Sequence, residues 1–204
     1  MRQTTEITAT ESPRLVFNIP NSITGFRVIL AAVTAYLLYQ AEPHTIALAG
    51  ILLLVAAFTD TMDGLVARRL GQGTLGGALF DLVADEILFM PAVILAIRAG
   101  LFARADDLVP VNPYLYAVPA LAGGVAVISG VSIYLWKRRT RPMVFPSSPG
   151  VVKATYWFWL AALISAVLGI GPDIFLAALM LISLVFTLLS FYVYLKKGSY
   201  VFTD

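Results

Sequence analysis

"DTMDGLVARRLGQGTLGGALFDLVAD", residues 60–85, sets four aspartates and a double arginine between long apolar runs. Asp60 and Asp63 are spaced i,i+3, and Asp81 and Asp85 are spaced i,i+4, so each pair shares one face of a helix. Gly64, Ala67 and Arg68 continue the face of the first pair, and Gly77 precedes Asp81 by one turn. Between them "RLGQGTLG" is a tight, glycine-rich turn that makes the two helices antiparallel neighbours. The two carboxylate pairs are then expected to face each other across one cleft.

The surroundings of this stretch set the fold class. The chain has 204 residues, 59% of them hydrophobic and 13% charged, and its mean hydropathy is +0.86. A soluble domain carries about a quarter charged residues. Apolar stretches of the roughly 20 residues that one helical crossing needs recur along the chain. The expected fold is all-α, an integral membrane bundle of six transmembrane helices. Helix is preferred to strand because a lipid-exposed segment must satisfy its own backbone hydrogen bonds.

The six crossings are expected at about 24–40, 44–70, 75–98, 114–136, 151–168 and 174–195. Residues 1–23 form a polar N-terminal and juxtamembrane segment, and 24–204 the transmembrane domain. No cysteine is present, which excludes disulfides and thiolate metal sites. Nothing points to nucleic acid.

Lysines and arginines orient the bundle. Arg2, Arg14, Arg68, Arg69, Lys137, Arg138, Arg139, Arg141, Lys196 and Lys197 all fall on one side if six helices alternate. Only Arg98 and Arg104 fall between crossings on the other. The positive-inside rule then places both termini, and the aspartate cleft, on the cytosolic side of a cytoplasmic membrane. Trp136, Trp157 and Trp159 lie near that face and are expected to be lipid-facing interfacial anchors.

Four carboxylates cannot all remain ionised side by side at low dielectric without cations. Protonation is one solution and a divalent metal another. Oxygen-only ligands favour a hard ion, Mg²⁺ or Mn²⁺. Four carboxylates suit two such ions roughly 3.5–4 Å apart, an arrangement used in phosphoryl chemistry. The bland alternative is helix packing through small residues, with aspartates paired to arginines. It accommodates one or two carboxylates, but only Arg68 and Arg69 lie nearby in sequence.

The stretch reads D-x2-D-G-x2-A-R-x8-G-x3-D-x3-D, and it resembles the signature of the CDP-alcohol phosphatidyltransferase family. "NIPNSITGFR", residues 18–27, is similar to that family's usual start of helix one. The resemblance implies transfer of a phosphatidyl group from a CDP-linked lipid, CDP-diacylglycerol, to an alcohol, with release of CMP, in phospholipid biosynthesis. It implies two divalent cations held by Asp60, Asp63, Asp81 and Asp85, with Asp85 also the general base. It implies a CDP pocket lined by Asp63, Gly64, Ala67, Arg68 and Gly77, membrane lipids as partners, and a homodimer.

The acceptor is less defined. Candidates for binding it are Lys153, Arg27, Arg138 and Arg139. "SSPGVVKAT", residues 147–155, resembles the Gly-x-x-Lys-x-Thr start of helix five in phosphatidylglycerophosphate synthases and related cardiolipin synthases, which points to glycerol 3-phosphate. Arg27 follows Asn21 and Thr24 on one face of helix one. It is either an acceptor contact or an arginine snorkelling from a helix start. The arginines after helix four also suit positive-inside anchoring.

Two features depart from the synthase pattern. Glu86 stands in "LVADE" where a lysine is usual, and helix four lacks an Arg-Glu pair. Glu86, one position past Asp85, is expected to face away from the cleft. The same chemistry with phosphatidylglycerol, inositol phosphate or serine is the nearest alternative. An ion-coupled transporter is the alternative from another class, disfavoured because residues 108–204 hold only Asp173 and Asp204 as acids.

Overall fold

The computed structural model describes residues 18–70, 74–106, 108, 118, 121–125, 128–132, 135 and 150–198, excepting side chains at 63–65, 67, 68, 70, 75, 152, 153, 191 and 194–198. Helix α1 spans Ile19–Gln40, α2 Pro43–Leu70 and α3 Leu75–Arg98. A single 3₁₀ turn, Ala103–Ala105, follows. Helix α4 is described at 121–125 and 128–132. Helix α5 spans Gly150–Leu168 and α6 Asp173–Gly198. No strand occurs among the described residues.

Among the described residues, three segments are long and apolar enough to cross a membrane: Ile19–Gln40, Pro43–Met62 and Asp173–Ser190. Leu121–Ser132 and Ala154–Leu168 are shorter apolar helices. Helix α3 has the length for a crossing but carries Asp81, Asp85, Glu86 and Arg98.

Local chemistry sets the helix ends. The first helix begins at Ile19, five residues before the expected Thr24. Asn18 is its N-cap, and the Asn18 side chain accepts the backbone N–H of Asn21 at 3.0 Å. Pro20 sits in the first turn, where its missing N–H leaves no gap in the ladder. "NIPN" is thus the first turn of α1 rather than a lead-in to it. Thr74 caps α3 in the same way, its Oγ1 accepting from Gly77 N at 3.0 Å. Helix α1 ends on Ala41 in the left-handed conformation, φ 56°. Pro91 lies inside α3 without ending it, which neighbouring helices permit in a membrane bundle.

Helix α1 packs on both α2 and α3, and α5 packs on α6 and reaches back to α2 and α3. The core joins these faces through Leu38, Leu53, Val93, Leu163, Leu176 and Met180. Small residues let the helices approach: a Cβ at Gly50 on α2 would overlap the Leu168 side chain of α5.

Polar groups add a seam between α5 and α6. Thr155 Oγ1 lies 2.7 Å from Ser190 Oγ and donates to Phe186 O at 3.0 Å. Trp159 Nε1 donates to Thr187 Oγ1 at 2.9 Å. Trp159 is therefore buried between helices, contrary to its expected place at the lipid interface, because its indole N–H finds a partner on α6. Trp157 is 45% exposed, as an interfacial anchor would be. Trp136 lies outside the described residues.

A second polar cluster closes the other end of the bundle. Arg104 Nε donates to Asp173 Oδ1 at 2.9 Å and Nη2 donates to Gly171 O at 2.7 Å. The guanidinium thereby ties the turn after α3 to the start of α6. Arg98, at the end of α3, lies over the Tyr39 ring at the end of α1, 4.6 Å from its centroid.

Candidate active site

At the N-terminal end of α3, three helices bring charge together. Asp60 comes from just past the middle of α2, Asp81 and Asp85 from successive turns in the first half of α3, and Arg27 from the third turn of α1. Arg27 Nη1 donates to Asp81 Oδ1 at 2.8 Å and to Asp85 Oδ1 at 2.7 Å, and lies 3.1 Å from Asp60 Oδ1. The Arg27 side chain is 0% exposed, whereas Asp81 is 40% exposed and marks the open side of the cleft.

The face of α1 that carries Arg27 is polar by necessity. Thr24 is buried on it and donates to Pro20 O at 3.2 Å. Asn21 is on it too, and its Oδ1 stands where a Cβ at Gly77 would fall. Gly77 thus lets α1 close against α3, which carries Arg27 into the cluster. A side chain buried this completely is not snorkelling to the surface. It is a partner of the carboxylates, and reasoning from local spacing missed it because only Arg68 and Arg69 neighbour the aspartates in sequence.

The ligand oxygens of Asp60, Asp81 and Asp85 all lie within 4.8 Å of one another. Ligand oxygens on a single octahedral Mg²⁺ are roughly 3–4.2 Å apart at the usual bond lengths of about 2.1 Å. The spacing and the all-carboxylate donor set therefore fit a hard divalent ion. Charge argues the same way. Three carboxylates facing one guanidinium leave an excess of negative charge if all are ionised. Arg27 Nη1 stands in the middle of the three oxygens, so an ion bound there has to displace it or share the carboxylates with it.

The other expected site residues are placed less fully. Asp63, Gly64, Ala67 and Arg68 fall on α2 and Lys153 on α5, but their side chains lie outside the described residues. Arg138 and Arg139 lie outside them altogether. Thr155, part of the "GVVKAT" stretch, directs its hydroxyl to α6 and serves helix packing.

Two residues near the cluster went unnoticed as site members in the sequence. Tyr156 on α5 packs its ring against Phe89, one turn past Asp85, with centroids 6.0 Å apart. Its hydroxyl lies in the field of Asp85, Asp60, Arg27 and Glu86. An aromatic in an apolar helix carries no spacing signal of its own, which is why it escaped notice. Phe89 also meets Trp159 edge-on at 6.3 Å.

Beside the cluster an open groove of about 570 Å³ runs between α1 and α2. Ile19, Ile23, Phe26 and Met62 line it, with Asn18 and Thr59 among its polar members.

Residues 17–189 match the family model for CDP-alcohol phosphatidyltransferase. The chain belongs to the CDP-alcohol phosphatidyltransferase family. Its relatives include the CDP-diacylglycerol–glycerol-3-phosphate 3-phosphatidyltransferases of Escherichia coli and Shigella flexneri, each 42% identical over 79 residues. That stretch is 39% of this chain and 43% of each relative, so the match spans under half of the relatives' length. Membership in this family leaves the transporter reading without support.

Proposed function

We propose that the chain is a metal-dependent phosphatidyltransferase that moves the phosphatidyl group of CDP-diacylglycerol onto glycerol 3-phosphate and releases CMP. The observation that carries this reading is the convergence of Asp60, Asp81 and Asp85 at the end of α3, with ligand oxygens within 4.8 Å. The glycerol 3-phosphate acceptor is favoured by the names of the relatives, with phosphatidylglycerol, inositol phosphate and serine as the alternatives.

Asp60, Asp63, Asp81 and Asp85 would hold two divalent cations, Mg²⁺ or Mn²⁺. When bound, such ions neutralise the donor diphosphate and make an acceptor hydroxyl more acidic. Asp63, Gly64, Ala67, Arg68 and Gly77 would line the CDP pocket, where absent side chains let a nucleotide approach the backbone. The groove between α1 and α2 suits one acyl chain of the donor, since it is apolar and opens beside Asp60 and its neighbours.

In the reaction Asp85 accepts the proton of the acceptor hydroxyl. The freed oxygen attacks the lipid-side phosphorus, and the bond from that phosphorus to CMP breaks in line. Arg27 holds Asp85 and Asp81 in place until substrate and cations arrive. Lys153, Arg138 and Arg139 would supply positive charge for an acceptor phosphate.

The lysine and arginine distribution supports six crossings, cytosolic termini and a site on the cytosolic side of the cytoplasmic membrane. A homodimer follows from the family resemblance. The test is CMP release by purified protein in detergent micelles with CDP-diacylglycerol, glycerol 3-phosphate and Mg²⁺ or Mn²⁺. Turnover that persists in excess EDTA would exclude the metal mechanism.

A further inference from the structure

Two hydrogen-bonding side chains lie near the acidic cluster, Glu86 on α3 and Tyr156 on α5. Glu86 follows Asp85 and turns about 100° round α3 from it, toward α4. Its Oε2 is buried and has no hydrogen-bond partner among the described residues. Room for that oxygen is made by Gly124 of α4: a Cβ there would lie 2.7 Å from Glu86 Oε2 and would overlap Met90 Sδ. A buried carboxylate oxygen with nothing to bond is costly, and packing alone would favour an apolar residue here.

Tyr156 approaches from α5. Its ring is seated on Phe89, and its hydroxyl makes no hydrogen bond among the described residues. The charges that act on it are those of Asp85, Asp60, Arg27 and Glu86. A buried acceptor oxygen on α3 thus faces α4 one residue past the proposed base, and a phenol enters from α5 with its ring on the next turn of α3. Lys153 lies three residues before Tyr156, one turn nearer the start of α5.

A carboxylate and a phenol so placed complement one particular group. A substrate hydroxyl donates one hydrogen bond and accepts another. A dianionic phosphate offers no proton to a carboxylate and is repelled by it. We propose that Glu86 and Tyr156 form a specificity subsite for the middle hydroxyl of a glycerol-type acceptor, Glu86 accepting a hydrogen bond from it and Tyr156 donating one to its oxygen. The terminal hydroxyl is then presented to Asp85, and the acceptor phosphate extends away from Glu86. The inference rests on the transferase function proposed above.

The test compares glycerol 3-phosphate with 3-hydroxypropyl phosphate, which lacks only the middle hydroxyl, in wild type, E86Q and Y156F. A site built around a substrate hydroxyl discriminates strongly against an analogue that lacks it. The expected result is a KM for glycerol 3-phosphate raised roughly tenfold or more in both variants. The KM for CDP-diacylglycerol and for the deoxy acceptor should stay within about twofold of wild type. Y156F keeps the ring on Phe89 and removes only the hydroxyl, so it decides the matter if E86Q does not fold. Unchanged acceptor KM in Y156F would overturn the subsite and leave the transferase reading standing. A wild-type protein that releases no CMP with glycerol 3-phosphate would overturn both.

Discussion

Arg27 Nη1 lies 2.7 Å from Asp85 Oδ1, although 58 residues separate the two in the chain. The same nitrogen reaches Asp81 and Asp60. Helix α1 therefore supplies the counter-charge for a motif written on α2 and α3. A single guanidinium fastens the three helices while it holds the place where a divalent ion would reside. Protein without cations and protein with them should accordingly differ in what keeps these carboxylates together.

Arg27→Met should destabilise the cation-free protein by on the order of 3–5 kcal/mol, since it leaves buried carboxylates without their partner. Thermal unfolding in detergent with EDTA measures this. Millimolar Mn²⁺ should recover most of the loss, because the ions replace the missing charge. A variant as stable as wild type in EDTA would show that the guanidinium contributes little.

Asp60→Asn and Asp81→Asn should each weaken Mn²⁺ binding by tenfold or more, on the order of 1.4 kcal/mol, for loss of one anionic ligand. Electron paramagnetic resonance of free Mn²⁺ in a titration reads this directly. Both variants should keep wild-type helicity by circular dichroism. Wild-type affinity in both would remove these residues from the ligand set.

Asp85→Asn should slow CMP release by about 10²–10⁴-fold, the range expected when a general base is lost. Binding of a CDP-lipid, followed by calorimetry with Mg²⁺ present, should fall far less. Parallel loss of binding and rate would assign Asp85 to metal retention alone.

Thr155→Val and Trp159→Phe should each lower stability by about 0.6 kcal/mol, the average for a side-chain hydrogen bond between membrane helices. Acceptor KM should not change, because both groups face α6. A raised KM in Thr155→Val would return this hydroxyl to the acceptor site.

Much of the bundle could be read from local signals. The span expected at 75–98 coincides with α3, since Thr74 caps one end and the apolar run ends at Arg98. Asp60, Asp81 and Asp85 converge as their spacing requires. Residues whose roles depend on distant partners were harder. Arg27 reads in sequence as an acceptor contact or a snorkelling arginine, because its acidic partners lie on other helices. Trp159 has the composition of an interfacial anchor, and only the position of Thr187 on α6 explains its burial. Tyr156 and Glu86 acquire meaning once α4 and α5 are packed against α3. Short-range periodicity specifies which face a residue takes, not which helix that face will meet.

The clasp at Arg104 stands at the opposite end of α3 from Asp81 and Asp85, and it joins the α1–α3 group to the α5–α6 hairpin through Asp173 and Gly171. If a two-tailed lipid reaches the carboxylates between these two groups, the Phe89–Tyr156 contact has to part while the Arg104 clasp holds, as the jaws of a clothes peg open away from its spring.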